Sequence, residues 1–432
     1  MRTVKKYTIP TKEVFTERLL SWAQQFDEVV WLDSNEYAQE YSSYKAILAV
    51  DAFTSIKTQT NGSFEALEEY QSRAKDWLFG YLTYDLKNDI EALESNNFDG
   101  LQFPDIYFFQ PKKIFLFTEN TVELHYLRVV EDEAEKDWED IQEENIVDGT
   151  LEDKPEAIKI RLRTSKDSYF EKVSTILSHI QQGDIYEASF CQEFFAEKTK
   201  LDPIKTFLHL NDISRPPFAT FLKFENLFLL SASPERYLKK TGGTVISQPI
   251  KGTAKRVFDP KEDAAMVEKL RLDPKERSEN IMIVDLVRND LSKIAKKGSV
   301  RVNELCTVYT FEQVHQMIST ISCQISEDIR PVEVIKNTFP MGSMTGAPKV
   351  SAMKIIEELE DAKRGLYSGA VGYFTPDNDM DFNVIIRSIL YNAHKEYVSF
   401  SVGGAITAKS TPETEYEECL IKAKAMREVL EG

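Results

Sequence analysis

Four glutamates carry the first chemical signal. Glu276 and Glu279 stand three apart, and Glu415 and Glu418 repeat that spacing near the end of the chain. On a helix this spacing puts both carboxylates of a pair on one face. Such pairs are most often solvated surface. Here, however, the first pair precedes the apolar run IMIVDLV, and the second follows SVGGAIT, whose small residues let backbone approach a ligand closely. Carboxylates from two helices suit Mg²⁺, which takes a few of them together with waters and substrate oxygens. Lys422 stands one helical turn beyond Glu418.

Two further residues have the chemistry of a reaction centre. Glu235, in SASPERYL, follows a proline at the end of an apolar run. Burial there raises its pKa and suits it to general-acid work, while pairing with Arg236 is the structural alternative. Lys251, in PIKGT, sits between an apolar dipeptide and a turn. On the surface it is a charge; desolvated or beside a metal it is a nucleophile. His315, in FEQVHQMIST, reads more readily as a satisfied core histidine than as a catalyst. FPMGSMTGAPKVSAMK looks at first like a phosphate loop, but Pro348 precedes Lys349 and Val350 replaces the required Ser or Thr. The helix it opens still offers free N–H groups to an anion such as a carboxylate.

The elements that must position these residues are legible as patterns. Short strand-like runs fill the first 125 residues: VVWLDS, AILAVDAF, WLFGYLTY, IYFFQPKKIFLF and VELHYLRVV. From Glu131 to Glu144 there are nine acids and one lysine, the composition of an acidic linker or exposed segment. Tyr169, Val173, Ile176, Leu177 and Ile180 keep helical spacing up to Gly183. The run IYEASFCQEFFA follows, with Glu187, Ser189 and Cys191 on one face of a strand. A helix is expected over ERSENIMIVDLVRNDL and another from Pro412. Strands and helices mix without a βαβ rhythm, which favours α+β.

Composition sets the outer bounds. The 432 residues are 42% hydrophobic and 29% charged, enough for a large core in one domain or two to three smaller ones. A net charge of −18 argues against a nucleic-acid binder, which needs a basic footprint. MRTVKKYTIPTKEVF has basic residues without an apolar core behind them, and no apolar run nears the roughly 20 residues of a membrane span. A cytoplasmic enzyme is expected. Cys191, Cys306, Cys323 and Cys419 lack metal or disulfide spacing and read as buried thiols.

Taken in order, SPERYL, PIKGT, ENIMIVDLVRNDL, FPMGSMTGAPK, YSGAVGYF, DFNVIIRS and GGAITAKSTPETEYEECLIKA resemble the chorismate-utilising enzymes. The resemblance is dense over about residues 165–430 and thin before them, through WLDS and GYLTYDL. It implies an α+β fold: a large two-sheet antiparallel β-sandwich flanked by helices, with the active site in a cleft between the sheets. Three regions are expected: a strand-rich 1–130 intertwined with the core, an acidic 131–163, and a chorismate-binding catalytic region 164–432. It further implies that Glu279 and Glu418 bind Mg²⁺, supported by Glu276 and Glu415, and that Glu235 protonates the departing C4 hydroxyl. His315, Thr345 and the backbone at Gly342, Gly403 and Gly404 would hold the ring carboxylate and metal side. Tyr367, Arg387 and Lys422 would grip the enolpyruvyl carboxylate. Ser34, in WLDS, resembles part of a tryptophan pocket, with a purely structural use as the competing reading.

One residue bears on the reaction. Within the resembling enzymes PIKGT is typical of aminodeoxychorismate synthases and PIAGT of anthranilate synthases; this chain has Lys251. The resemblance then implies amination of chorismate at C4, giving 4-amino-4-deoxychorismate for 4-aminobenzoate and folate synthesis. The ammonia would come from a separate glutamine amidotransferase subunit, since no GxCxG nucleophile elbow occurs here. Anthranilate synthase component I, aminating C2 with loss of pyruvate, is the alternative. Glu187 occupies the position where isochorismate synthases carry a water-activating lysine, which counts against water as nucleophile. Amine-using relatives usually have Gln there, so the role of Glu187 is open. Ala405 replaces a common third glycine.

Overall fold

Two long strands tie the molecule together. Ala46–Thr58 pairs with Ile106–Phe117 along its length, with one irregularity between Ala52 and Thr54. The first half of Ile106–Phe117 also pairs with Leu78–Leu82, and its second half with Thr121–Leu127. From this hinge of strands the ladder runs two ways, antiparallel throughout. One arm passes through Glu28–Asp33, Phe218–Phe224, Leu227–Ser233, Ser388–Asn392 and Tyr397–Thr407 to Glu187–Glu197. The other passes through Ala370–Phe374, Met380–Val384, Arg236–Thr241 and Thr244–Gln248 to Val314–Gln324, beside Ile250–Lys255 and Arg301–Thr310. This computed structural model describes residues 1–9, 12–35, 37, 41, 44–59, 61–144 and 158–432.

The arms stack as two layers because strand alternation gives each an apolar inner face. Val30, Ile47, Leu222 and Leu229 of one layer share a core with Leu78, Val371, Phe382 and Leu238 of the other. The opposite face of the first layer, including Trp31, Leu48, Phe221 and Phe400, packs on Leu19, Tyr169, Val173, Phe207 and Met426 of the flanking helices. The architecture is α+β with two antiparallel layers and flanking helices, as the motifs implied. No helix among the described residues is long and apolar enough to cross a membrane. All four cysteines are buried free thiols.

Helix ends follow the local chemistry. Ser165 caps Lys166–Gln182 through its hydroxyl, and Gly183 closes it at φ +87°. The carboxylate of Asp273 accepts from the Lys275 and Glu276 amides and starts Pro274–Ser292. Within the acidic stretch, Ala134–Glu143 is a helix whose Asp137 turns inward to Lys113 Nζ at 2.6 Å and the Tyr126 hydroxyl at 2.9 Å. Residues 145–157 of that stretch lie outside the described residues.

Arg364 locks several segments together. Its buried guanidinium meets Glu360 at 2.7 and 2.9 Å and donates to the Met344 and Ser189 carbonyls, both at 2.7 Å. Removing one partner leaves an uncompensated buried charge, which costs about 3–5 kcal/mol. Glu360→Ala should therefore lower the unfolding free energy obtained from urea titration by that amount, and a change within error would show the pair to be dispensable.

Candidate active site

Lys251 and Glu235 face the same cleft, of about 1790 Å³ and open to solvent. One wall comes from Glu187–Glu197 and Tyr397–Thr407, the other from Ile250–Lys255 and Val314–Gln324, and the helices Pro274–Ser292 and Pro412–Glu431 close it. Glu235 is buried and accepts a hydrogen bond from Ser343 Oγ at 2.7 Å. Burial pushes its carboxyl up to about 7, against the pull of Ser343 and Lys251. It is thus a carboxylic acid that keeps its proton near neutrality.

Lys251 lies opposite, with Nζ 3.4 Å from Glu187 Oε1. Burial favours its neutral form, but Glu187, Glu279 and Glu235 outweigh that and hold it above the ordinary lysine range. Burial likewise raises Glu279 to about 7, offset in part by Lys251 and Lys275. Glu276 is raised by burial too, and so is Glu415. Burial pushes Glu418 up, but the Lys422 ammonium, 2.5 Å away, brings it below its usual value. Lys275 is 3.9 Å from both Glu279 and Glu415.

The helix spacing thus brings Glu276, Glu279 and Glu418 to one end of the cleft, with Glu415 just behind it. Glu279 Oε1 and Glu415 Oε1 are buried with no hydrogen-bond partner among the described residues. Buried carboxylate oxygens normally find a partner. Carboxylates are the donor type a hard divalent cation takes, but among the described residues no three His, Cys, Asp or Glu side chains are grouped closely enough to hold a metal ion by themselves. A Cβ at Gly404 would come within 2.9 Å of Glu415 Oε2, so glycine there keeps room beside the carboxylates.

The pattern of the chorismate binding enzymes matches residues 27–428. The chain belongs to that family. Among curated relatives, the probable chloroplastic aminodeoxychorismate synthase of Oryza sativa is 41% identical over 62% of this chain and 30% of its own length. Aminodeoxychorismate synthase component 1 of Escherichia coli is 39% identical over 62% of this chain and 58% of its own. This chain therefore spans less than two thirds of either. Anthranilate synthase component 1 of Thermus thermophilus is 33% identical over 82% of this chain and 77% of its own. Among solved structures, anthranilate synthase component I of Streptococcus pneumoniae superposes at TM-score 0.78 and 25% identity, over 90% of this chain and 94% of that one.

In this chorismate binding enzyme the expected substrate grips Tyr367, Arg387 and Lys422 all line the cleft, with Gly403 and Gly404. Arg387 has no ion-pair partner among the described residues, and its backbone sits at φ +52°, a costly conformation for a non-glycine residue. Lys422 Nζ donates to the Gly403 carbonyl at 2.8 Å. Besides Glu415, three expected residues are not brought into the cleft. His315 is fully buried on the far face of its strand, with Nε2 on Asp263 at 3.0 Å and Nδ1 on the Thr310 hydroxyl at 2.9 Å. Period-two alternation turns Gln316 to the cleft instead, and its buried Oε1 has no hydrogen-bond partner among the described residues. Thr345 and Gly342 lie behind the wall, where the Thr345 hydroxyl donates to the Met341 and Gly342 carbonyls; Ser343 and Met344 are the residues that face inward. Lys349 points away, to Asp290 at 2.5 Å.

Glu276 lines the cleft, while Glu415 sits just behind Gly404. Ser34 belongs to a separate cavity of about 480 Å³, where its hydroxyl donates to the Lys45 carbonyl at 2.9 Å beside Arg236 and Asp381. The residues missed by sequence reading are Gln316, Ser343 and Lys275. For Gln316 the signal was present, since strand alternation separates it from His315.

Proposed function

We propose that this enzyme aminates chorismate at C4, with ammonia supplied by a glutamine amidotransferase partner. One observation carries the reading: a half-buried lysine and a carboxylic acid poised near neutrality share one cleft. The lysine is also the residue that sets PIKGT apart from PIAGT, and the greater identity to aminodeoxychorismate synthases supports the same choice. Glu279 and Glu418, with Glu276 and Glu415, would hold Mg²⁺, which when bound offsets carboxylate charge and helps a dianionic substrate to settle.

The chain's own groups then divide the work. Arg387, Lys422 and Tyr367 orient the substrate carboxylates, the guanidinium offering two aligned donors. Lys251 Nζ attacks C2, the ring double bonds shift, and the C4 hydroxyl leaves as water with the proton of Glu235. Ammonia attacks C4, the double bonds shift back, and the C2–N bond breaks to free the lysine. The new C4 ammonium returns a proton to Glu235. Two displacements replace one hard substitution and retain the C4 configuration.

The test is to incubate the purified chain with chorismate, Mg²⁺ and an ammonium salt and to identify the product by mass and fluorescence. 4-Amino-4-deoxychorismate is expected; fluorescent anthranilate would overturn the reading. For the metal, Glu418→Gln is expected to weaken Mg²⁺ binding by about 10–100-fold in calorimetric titration. An unchanged titration would remove Glu418 from the site.

A further inference from the structure

Glu187 is the acid that neither the sequence reading nor the reaction above accounts for. Its backbone is fixed at the crossing of three strands: it lies opposite Thr407 on one side and Ala347 on the other. Flanking bonds from the Tyr186 amide to the Ala347 carbonyl and the Ser189 amide to the Thr345 carbonyl, both 2.7 Å, hold it there. Gly346 presses so close that a Cβ would stand 2.2 Å from the Glu187 carbonyl oxygen. The side chain shares its face with Ser189, which lines the cleft, yet it is only 1% exposed. It therefore meets Lys251 inside the wall, while Lys251 itself lines the cleft.

The contact itself is specific. Oε1 is 3.4 Å from Nζ, and Oε2 is buried with no hydrogen-bond partner among the described residues. Five carboxylates surround Lys251: Glu187, Glu235, Glu279 and, more remotely, Glu276 and Glu418. Among the described residues only Glu187 stands within ion-pair distance. Glu235 already has the C4 hydroxyl to protonate, and the other three face the cation end. A lysine held as an ammonium has no lone pair to attack with, so a proton must leave first. Its nearest uncommitted acceptor is Glu187.

We propose that Glu187 takes the proton of Lys251 Nζ before the lysine attacks C2, stores it, and returns it when ammonia expels the lysine. The proposal rests on the reading of Lys251 as nucleophile. In the first step the N–H bond breaks and a carboxylic O–H forms, which gives a neutral amine beside a neutral acid. Attack then makes the C2–N bond and leaves a secondary ammonium, while the departing hydroxyl takes its proton from Glu235. Expulsion releases the neutral amine, Glu187 gives the proton back, and the resting ion pair is restored. Charge and protons balance over the cycle.

A single-turnover experiment tests this step. The full chain is mixed with chorismate and Mg²⁺ without ammonia and quenched with acid. The Lys251 peptide is then weighed for addition of chorismate less water. With Glu187→Gln, adduct formation at neutral pH is expected to slow by about 10²-fold. Its rate should then climb with pH, because the proton must leave to solvent, while chorismate affinity stays within about threefold of wild type. Glu187→Asp, which keeps a base on a shorter arm, should recover part of the rate. Adduct formed by Glu187→Gln at the wild-type rate would overturn the proposal, since a mere counter-ion is dispensable or inhibitory. A pH-independent loss with weakened chorismate binding would overturn it too. If no adduct forms in wild type and Lys251→Ala still aminates normally, the nucleophile reading itself fails.

Discussion

Lys251→Ala is expected to lower C4 amination by at least about 10³-fold, or about 4 kcal/mol of activation free energy. The alanine removes the atom that splits the substitution into two displacements, and the other lysines that line the cleft are differently placed: Lys255 is exposed at the end of the Ile250–Lys255 strand. Lys275 stands at the carboxylate end, 3.9 Å from Glu279 and Glu415, and Lys422 is held by Glu418 and the Gly403 carbonyl. The check is kcat with saturating chorismate and ammonium, together with the dissociation constant for chorismate. The variant should bind substrate nearly as well as wild type and fail to turn it over. An unchanged kcat would mean that ammonia attacks C4 directly.

Glu235→Gln is expected to cost about 10²–10⁴-fold in the same assay, the range for losing a positioned general acid. Burial raises the Glu235 carboxyl to about 7, so its protonated form predominates below that pH and disappears above it. With free ammonia held constant, the wild-type rate should therefore fall as pH rises through about 7. The glutamine variant should lose this limb, since its amide does not titrate. A limb that persists in the variant would assign the titration to another group, with Glu279, also raised to about 7, as the first suspect.

The same two residues show what sequence could and could not supply. Glu235 and Lys251 were legible because each lies beside apolar residues in a short motif, and the two helical glutamate pairs because spacing alone puts them on one face. The early strands were legible because alternation and apolar runs persist over their lengths. What failed was depth. His315 and Gln316 are neighbours in sequence but lie on opposite faces of Val314–Gln324, and the inward one is a neutral amide with no reputation for chemistry. Thr345 and Gly342 sit in a compact turn where Ser343 and Met344 take the inward positions, a local arrangement that composition does not encode. The role of Glu187 was closed to sequence altogether, because its partner Lys251 comes from a strand of the other layer.

The strand pair Ala46–Thr58 and Ile106–Phe117 has a mechanical consequence. Through it the two cleft walls belong to one unbroken ladder, so they cannot swing apart like jaws without parting backbone hydrogen bonds. The parts of the rim that lie outside that ladder are the two helices Pro274–Ser292 and Pro412–Glu431. These meet across side chains such as Lys275 and Glu415 and can slide without breaking a ladder. The helices that would move are the ones that carry the four glutamates. Any sliding of one helix past the other would therefore shift one glutamate pair against the other, so a single helix contact sets both the rim of the cleft and the spacing of its carboxylates.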